Sequence, residues 1–349
     1  MNLSKKKSLL TKIDGFNLTN EKHLTLLIGL IENNPNKCFN FFGKLTHYQR
    51  WEVRQAAVNK LDTDGRVDIL IRIVLNASDE LTCLPVLWKF IENHVDLLAW
   101  LIQKISVSEI CEEMVKNLLN DSHGEILTKI AKNHWSSSVR TTAIKKLNRN
   151  QYTELFIWVA ENDPQASVRR EAVIKLGGEY HKGLDYYEYE EEPKKDECIQ
   201  LFARIAENDC DGGVRWEALN KILNIYEDKV LFARIAENDS DDCVRWLAMF
   251  KLNSCEHGDL LVQIAKNDKD MDNRIGAIKK IDVDVYEYAE ALTRILQNSG
   301  FKEIREEILN KFDVKKHVEF LTQISKKSFD YEIQKKAREM LKPRTYINS

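Results

Sequence analysis

Arginine recurs at seven places in the chain, each time one residue after the same point of a recurring pattern. A guanidinium group presents its N–H donors in a planar fork that matches phosphate oxygens. A row of such groups on one surface could therefore hold the backbone of a nucleic acid. The seven residues are Arg54, Arg140, Arg169, Arg215, Arg245, Arg274 and Arg305.

Aromatic residues and lysines recur beside the arginines and could form a binding surface. Tryptophan follows the arginine in two successive copies of the pattern, at Trp216 and Trp246, and Phe250 comes one helical turn after Trp246. Exposed tryptophans are typical of the residues that dominate binding energy at protein interfaces. Lysine occupies the position equivalent to Phe250 in four other copies, at Lys89, Lys116, Lys145 and Lys279.

The sequence contains no pattern typical of catalysis. Phosphate-binding and dinucleotide-binding glycine loops, the G-x-S-x-G elbow and the H-E-x-x-H zinc motif are all missing. We interpret the eight histidines as sharing no position in the pattern, and none of the seven cysteines forms a C-x-x-C pair. We therefore expect no enzymatic activity, no cofactor and no metal site, and we expect the cysteines to be reduced packing residues.

These residues are positioned by a repeat of about 30 residues. The segment LFARIAEND occurs twice, at residues 201–209 and 231–239, and each copy is followed by V-R-W. We call the first residue of the V-R-x-x-A-x-x-K-L frame the anchor. Successive anchors lie 27 to 31 residues apart, apart from one interval of 46. The anchors are residues 53, 83, 110, 139, 168, 214, 244, 273, 304 and 333.

Each repeat predicts two short helices. Apolar residues before the anchor, such as Leu201, Phe202 and Ile205, have the spacing of one helical face, and so do those at offsets 0, +4, +5 and +8 after it. A turn rich in Asn and Asp separates the two segments and can cap the second helix. One such hairpin cannot bury both apolar faces, so neighbouring repeats must stack.

The D-x-x-x-x-V-R-x-x-A-x-x-K-L frame resembles the HEAT-repeat superfamily, and in particular its short, phycobilisome-lyase-type HEAT-like repeats. The resemblance covers residues 40–341 and implies an all-α protein, an α-solenoid (superhelix) of about ten HEAT-like helical hairpins. It also implies an Asp/Arg ladder between adjacent repeats. HEAT-like repeats occur in scaffolds, adaptors and enzymes alike, so the resemblance predicts the fold and not the function.

The helical geometry predicts that the arginines are structural. At about 100° per residue, offset +1 lies inside the apolar stripe, where a charge needs a hydrogen-bonded counter-ion. Two sets of aspartates are available as counter-ions. Asp163, Asp209, Asp239 and Asp268 lie five residues before an anchor, and Asp211, Asp241 and Asp270 lie three before it.

The opposite side of the second helix, at offsets +2, +3 and +6, is expected to line the concave surface of the solenoid. This side carries Trp216, Trp246, Phe250 and the four lysines, which we predict to bind the partner. Two alternatives stay open from the sequence: the rings fill gaps between stacked repeats, or the lysines form a solvated row.

The long interval between anchors marks an insertion at residues 177–197, with eight acidic residues, three lysines and four tyrosines, which predicts an exposed loop. The other predicted parts are an N-terminal helical cap at 1–38, repeats at 39–176 and 198–342, and a tail at 343–349. We expect the insertion either to be functional or to be disordered.

Composition narrows the function further. The chain has 349 residues, 43% hydrophobic and 31% charged, with a formal charge of -3, so no global field draws it to nucleic acid or to anionic lipid. No apolar run is long enough for a signal peptide or a membrane span, and we expect a cytoplasmic protein with no membrane partner. We expect a non-catalytic scaffold or adaptor that binds a protein or peptide. The alternative is a HEAT-like DNA glycosylase or another nucleic-acid-binding protein, because such glycosylases also use tryptophans on a basic concave surface.

Overall fold

The computed structural model describes residues 95–118, 120–178, 195–223, 225–226 and 228–342. Throughout these residues the secondary structure is helical, and none of them lies in a strand. Several predicted parts of the chain lie outside the described residues. They are the anchors at residues 53 and 83, the N-terminal cap, most of the insertion and the tail. The chain divides into two compact units between residues 179 and 180.

In the described part of the first unit, three helices that precede an anchor (first helices) alternate with three helices that carry an anchor (second helices). The helices are α1 Val95–Lys104, α2 Ser108–Asn117, α3 Asn120–Asn133, α4 Ser137–Lys146, α5 Thr153–Asn162 and α6 Ala166–Gly177. Helices α3 and α4 pack as one hairpin and α5 and α6 as the next, while α2, α4 and α6 pack side by side in one layer.

The second unit contains five hairpins within its described residues. Its helices are α7 Lys195–Asn208, α8 Gly212–Ile222, α9 Lys229–Asn238, α10 Asp242–Met249, α11 Ser254–Asn267, α12 Met271–Lys280, α13 Tyr286–Asn298, α14 Lys302–Lys311, α15 Val318–Lys327 and α16 Tyr331–Leu341. Each odd helix packs against the even helix that follows it, and helices of equal parity pack against each other in two layers. This stacking of hairpins is the α-solenoid arrangement that the sequence predicts.

The anchors explain why these segments become helices with one buried side. In every described repeat the anchor is the third residue of the even-numbered helix, and its side chain is at most 2% exposed. The first helices bury the predicted face as well, since Leu201, Phe202, Ile205 and Ala206 are all buried. The two apolar faces of each hairpin are thus shared with the neighbouring hairpins, and the core runs continuously through each unit.

The sequence predicts no membrane-spanning segment, and the length and polarity of the helices test this prediction. No helix in the described part of the chain is both long enough and apolar enough to span a bilayer.

Candidate functional site

Three of the repeated arginines form buried rungs with an aspartate of the next repeat. Arg245 Nε and Nη2 each donate to a different oxygen of Asp268, both at 2.8 Å. Arg215 pairs with Asp239 in the same way, at 2.7 and 2.6 Å, and Arg140 pairs with Asp163 at 2.7 and 2.8 Å. The partner always lies five residues before the next anchor, so the predicted ladder is confirmed for these rungs.

Further hydrogen bonds hold the arginine and aspartate side chains of these rungs in position. Nη1 of Arg245 donates to the Asp239 carbonyl at 2.9 Å, six residues earlier, and Asp268 also accepts the backbone N–H of Asp270 at 2.8 Å. The same pattern recurs in the Arg215 rung. These guanidinium groups have their donors committed inside the protein and are not available to a phosphate.

Three members of these rungs have shifted pKa values. The hydrogen bond to Asp268 raises the pKa of Arg245, and the hydrogen bond to Asp239 does the same for Arg215. Burial by itself would raise the pKa of Asp268, but the hydrogen bonds from Arg245 and from the Asp270 N–H outweigh burial and lower it. Arg245 and Asp268 are therefore both held in their charged forms.

Two of the other predicted rungs, those of Arg274 and Arg305, have different hydrogen-bond partners. Arg274 donates from Nε to the Ala265 carbonyl at 3.1 Å and lies 5.3 Å from the ring centre of Phe301. The next repeat has Ser299 where the three rungs described above have an aspartate, so the predicted carboxylate partner of Arg274 is wrong. Arg305 is bonded to Asp330, which lies three residues before its anchor and not five.

Two of the seven repeated arginines remain, Arg169 and Arg54. Arg169 donates to the Asp163 carbonyl at 2.9 Å. Arg54 lies outside the described residues.

The sequence predicts three of the aspartates that lie three residues before an anchor as counter-ions, and the structure corrects the role of these three. Asp211, Asp241 and Asp270 each cap the N-terminus of a second helix, accepting the N–H of the anchor at 3.1, 3.2 and 2.9 Å. Such a cap satisfies a helix N–H that has no partner within the helix. The charge of Asp241 still reaches Arg215, but only as a lesser contribution to its raised pKa.

A second ladder, built from lysines, was missed by the sequence analysis. In four described repeats the lysine seven residues after the anchor reaches back to the end of the preceding second helix. Lys280 Nζ donates to the carbonyls of Phe250 and Leu252 at 3.2 and 3.0 Å, and Lys311 Nζ donates to the Lys279 carbonyl at 2.9 Å. Lys146 and Lys175 make equivalent contacts. The signal was the K of the repeated frame, which is as regular as the arginine.

This lysine ladder neutralises the negative ends of the second helices. The last carbonyls of a helix lack partners, and a nearby cation is favourable there. Burial lowers the pKa of both Lys280 and Lys311. The lysines at this offset are thus structural, in contrast to those one residue earlier.

The aromatic face, defined as Trp216, Trp246 and Phe250, lies on the two second helices α8 and α10. Trp246 is 38% exposed and Phe250 is 55% exposed, and their rings meet edge to face with centres 5.9 Å apart. Trp216 is half-buried. The face therefore presents a large apolar surface to its surroundings, which is unusual for residues on the outside of a helix.

Trp246 also fills space between repeats. Its ring packs against Gly276 of α12, where a Cβ would overlap the ring and come within 2.7 Å of Met249 Cε. Gly276 is buried. The gap-filling alternative left open by the sequence thus applies to one side of the Trp246 ring, while the other side is exposed.

The predicted lysines are distributed over both units. Lys116 and Lys145 lie in the first unit, where they contact Glu113 at 3.3 Å and Glu171 at 3.6 Å. Lys279 is exposed on α12, one turn after Gly276. Lys89 lies outside the described residues. Within the second unit, only Lys279 shares a layer with the aromatic face.

The histidines are less scattered than the sequence analysis concluded. His94, His123, His257 and His317 all lie sixteen residues before an anchor. His317 is buried at the start of α15, where its Nδ1 accepts the Asp313 N–H at 2.9 Å and its Nε2 lies 3.2 Å from Asp284 Oδ1. His257 accepts the N–H of Asn253, also four residues earlier, at 3.5 Å. His257 and His317 thus close the turn into the first helix of their repeats.

One group of side chains has the composition of a metal site. Ligand atoms of Asp241, Asp242 and Cys243 lie within 4.8 Å of one another. Asp241 is already engaged as a helix cap, and the charge of Asp242 raises the pKa of the Cys243 thiol. The thiol is therefore held in its protonated form, which is a poor metal ligand.

No family model matches this chain, and no curated protein matches it. Among solved structures, Escherichia coli YibA is similar at 18% identity and a TM-score of 0.32, covering 90% of this chain and 97% of YibA. A protein from work titled "Computational Design of Self-Assembling Cyclic Protein Homooligomers" is similar at 13% identity and a TM-score of 0.11, covering 92% and 93%.

Proposed function

We propose that this chain is a non-catalytic scaffold or adaptor of the HEAT-like, phycobilisome-lyase-related type, acting in the cytoplasm. It binds a protein or peptide partner on the surface of its second helices, which the sequence predicts to be concave. The observation that supports this proposal most directly is the exposed pair of Trp246 and Phe250, whose ring centres lie 5.9 Å apart at the end of α10. Stacked hairpins present such a surface already ordered, which lowers the entropy cost of binding.

The charges around the aromatic face favour a protein over a nucleic acid. The repeated arginines that suggested phosphate binding are engaged in rungs such as Arg215 with Asp239. Asp242 and Asp272 are exposed at the N-terminal ends of α10 and α12, and they would repel a phosphate backbone laid across these helices.

The proposal is tested by affinity purification from the native host. The bait is the full chain as wild type, as the Trp216→Ala/Trp246→Ala double variant, and as Trp158→Ala, which removes a 40% exposed tryptophan of the first unit. We expect a partner that is lost with the double variant and kept with Trp158→Ala. Truncating a central interface tryptophan typically costs about 2 kcal/mol or more, which is about thirtyfold in affinity.

Two outcomes contradict the proposal. If the double variant retains every partner of the wild type, the aromatic face is not the binding site. If purified chain binds duplex DNA with an affinity that falls steeply between about 50 and 200 mM salt, the nucleic-acid alternative replaces it.

A further inference from the structure

Ion pairs between neighbouring hairpins divide the second unit into two blocks. The first three hairpins, helices α7–α12, form the N-terminal block. Each of them is joined to the next by one arginine rung and by one more exposed ion pair. The rungs are those of Arg215 and Arg245, and the exposed pairs are Arg234 with Glu207 and Lys229 with Glu256.

The last two hairpins, helices α13–α16, form the C-terminal block. Arg305 is paired with Asp330 at 2.6 Å in a rung of its own. Two exposed ion pairs, both at 2.5 Å, add to this rung, and they are Lys336 with Glu306 and Lys316 with Asp284.

The boundary between the two blocks has a different chemistry. Residues 228–342 are all described, and among them no ion pair joins the α11–α12 hairpin to the α13–α14 hairpin. The polar contact that crosses is the Lys311 Nζ bond to the Lys279 carbonyl, at 2.9 Å. The Arg274 guanidinium lies 5.3 Å from the ring centre of Phe301. The ring of Tyr288 covers Gly258 on α11, where a Cβ would overlap it, so packing dominates this boundary.

A single residue type accounts for the missing rung. Ser299 lies in the turn between α13 and α14, at the place that an aspartate holds in the rungs of the N-terminal block. The turn otherwise keeps the arrangement of those rungs. The Ser299 carbonyl accepts Arg305 Nη1 at 2.6 Å, and Ser299 Oγ accepts the Phe301 N–H at 3.2 Å. The turn therefore lacks only the carboxylate that would meet Arg274.

The covalent connection between the blocks is divided at the same boundary. The Asp282 N–H donates to Ser254 Oγ of the N-terminal block at 2.8 Å. Asp284, two residues later, is paired with Lys316 of the C-terminal block. Apart from the local bond from the Asp284 N–H to Asp282 Oδ1 at 3.0 Å, each aspartate is tied to its own block. Val283, between them, is the residue where the two blocks meet along the chain.

The two kinds of interface resist rotation differently. Turning one hairpin against the next at a rung would separate a bidentate pair and strand a buried carboxylate, such as that of Asp239 or Asp268, which is strongly destabilising. Apolar contacts have no preferred direction, so packed surfaces can slide past each other while they stay buried. Rotation at the boundary would strand no carboxylate.

We propose that the second unit contains a hinge between α12 and α13, centred on Val283, about which the C-terminal block turns as one body. The hinge changes how the surface of the second helices continues from α12 to α14. The aromatic face lies wholly within the N-terminal block, where the rungs of Arg215 and Arg245 keep its helices fixed. The hinge is therefore a property of the free chain and does not depend on a partner.

Distances between pairs of spin labels on the full chain test the hinge. Nitroxide labels are attached to an unnatural keto amino acid, because the chain has seven cysteines. The labelled positions are Asn220, Lys279 and Glu339, which are all exposed and lie six residues after an anchor on α8, α12 and α16. Each pair of neighbouring labels spans two hairpin steps, or about 20 Å. The Asn220–Lys279 pair stays within the N-terminal block, and the Lys279–Glu339 pair crosses the hinge.

We expect the distance distribution of the Lys279–Glu339 pair, measured by pulsed electron paramagnetic resonance, to be about twice as wide as that of the Asn220–Lys279 pair. Ser299→Asp supplies the missing carboxylate and should narrow it to the width of the N-terminal pair. Arg274→Met/Ser299→Asp has the carboxylate without its guanidinium and should stay wide.

The reverse change should create a second mobile boundary. Asp268→Ser removes the carboxylate from the Arg245 rung and should widen the distribution of the Asn220–Lys279 pair. Helical content and melting temperature show whether each variant is folded.

Equal widths of the two distributions in the wild type overturn the hinge, whatever the variants do. A folded Ser299→Asp chain whose Lys279–Glu339 distribution stays wide overturns it as well. If Ser299→Asp does not fold, the wild-type comparison and Asp268→Ser decide, and an unchanged width in Asp268→Ser contradicts the role of the rungs. The label distances report nothing about partner binding, so failure of the hinge leaves the proposed function standing.

Discussion

Replacing Arg245 with methionine tests whether the arginine rungs stabilise the second unit. Methionine keeps most of the apolar length of the side chain and removes the charge. The change deletes both bonds to Asp268, at 2.8 Å each, and the bond to the Asp239 carbonyl at 2.9 Å. It leaves a carboxylate whose side chain is only 4% exposed without its cation.

Breaking a buried pair on one side costs 3–5 kcal/mol in typical cases. We expect the lower end, about 3 kcal/mol, because Asp268 keeps the Asp270 N–H at 2.8 Å. Arg274→Met is the matched control, since Arg274 holds the same place in the repeat but donates one hydrogen bond to an uncharged acceptor, the Ala265 carbonyl, and otherwise contacts the Phe301 ring. It should cost about 1 kcal/mol. Arg245→Met/Asp268→Asn, which also removes the stranded charge, should be more stable than Arg245→Met alone.

Amide hydrogen exchange of α10 and α12, with chemical denaturation followed by circular dichroism, measures these differences. A loss of about 3 kcal/mol corresponds to an increase of roughly 150-fold in the population of the locally opened state, against about fivefold for 1 kcal/mol. Equal effects of Arg245→Met and Arg274→Met would refute the reasoning, because their helical positions are the same and only their partners differ.

The same rung predicts a pH dependence. The pKa of Asp268 is lowered in the folded protein, so its contribution is fully present above the unfolded value of about 3.9 and is lost as pH falls through the lower folded value. The deficit of Arg245→Met relative to the wild type should therefore shrink in acid, below about pH 4. A deficit that stays constant down to pH 2 would assign it to lost packing.

Three further predictions concern other contacts. Burial lowers the pKa of His134, so acidification below about pH 6.5 should destabilise the first unit in the wild type but not in His134→Asn, as followed by denaturation between pH 7.5 and 5.5. Lys280→Gln should cost about 1 kcal/mol by weakening the bonds to helix-end carbonyls, whereas the adjacent exposed Lys279→Gln should leave the melting temperature unchanged. Gly276→Ala should cost about 1–3 kcal/mol because its Cβ meets the ring of Trp246, and Trp246→Leu should relieve that loss; equal losses in both backgrounds would contradict the packing.

Much of the fold could be predicted from sequence because the repeat is a local property. The anchors from residue 110 onward were predicted from a frame of nine residues, and each lies at the third position of a second helix. A helix of about ten residues needs only the periodicity of its own side chains and a neighbour with the same periodicity. The binding site was harder to predict, because the exposure of a side chain depends on how the neighbouring repeat packs against it.

Individual residues show where the sequence was misread. The histidines at sixteen residues before the anchor were treated as scattered, although their common spacing was visible. Arg274 was assigned to the ladder by its own position, while its partner depended on Ser299 in the following repeat. Asp239 and Asp241 lie two residues apart in the same turn and have identical side chains. Only the path of the backbone through the turn makes Asp239 an ion-pair partner and Asp241 a helix cap.

The repeat, the helix pairs and the buried side of each helix can all be read from the amino-acid sequence, because they follow from spacing along one segment of chain. Packing between repeats sets which carboxylate meets which guanidinium, that the lysine of the frame reaches the preceding helix end, and that Trp246 is packed on one side and exposed on the other. Each of these depends on distances between residues about 30 positions apart, which are fixed only when one repeat lies against the next.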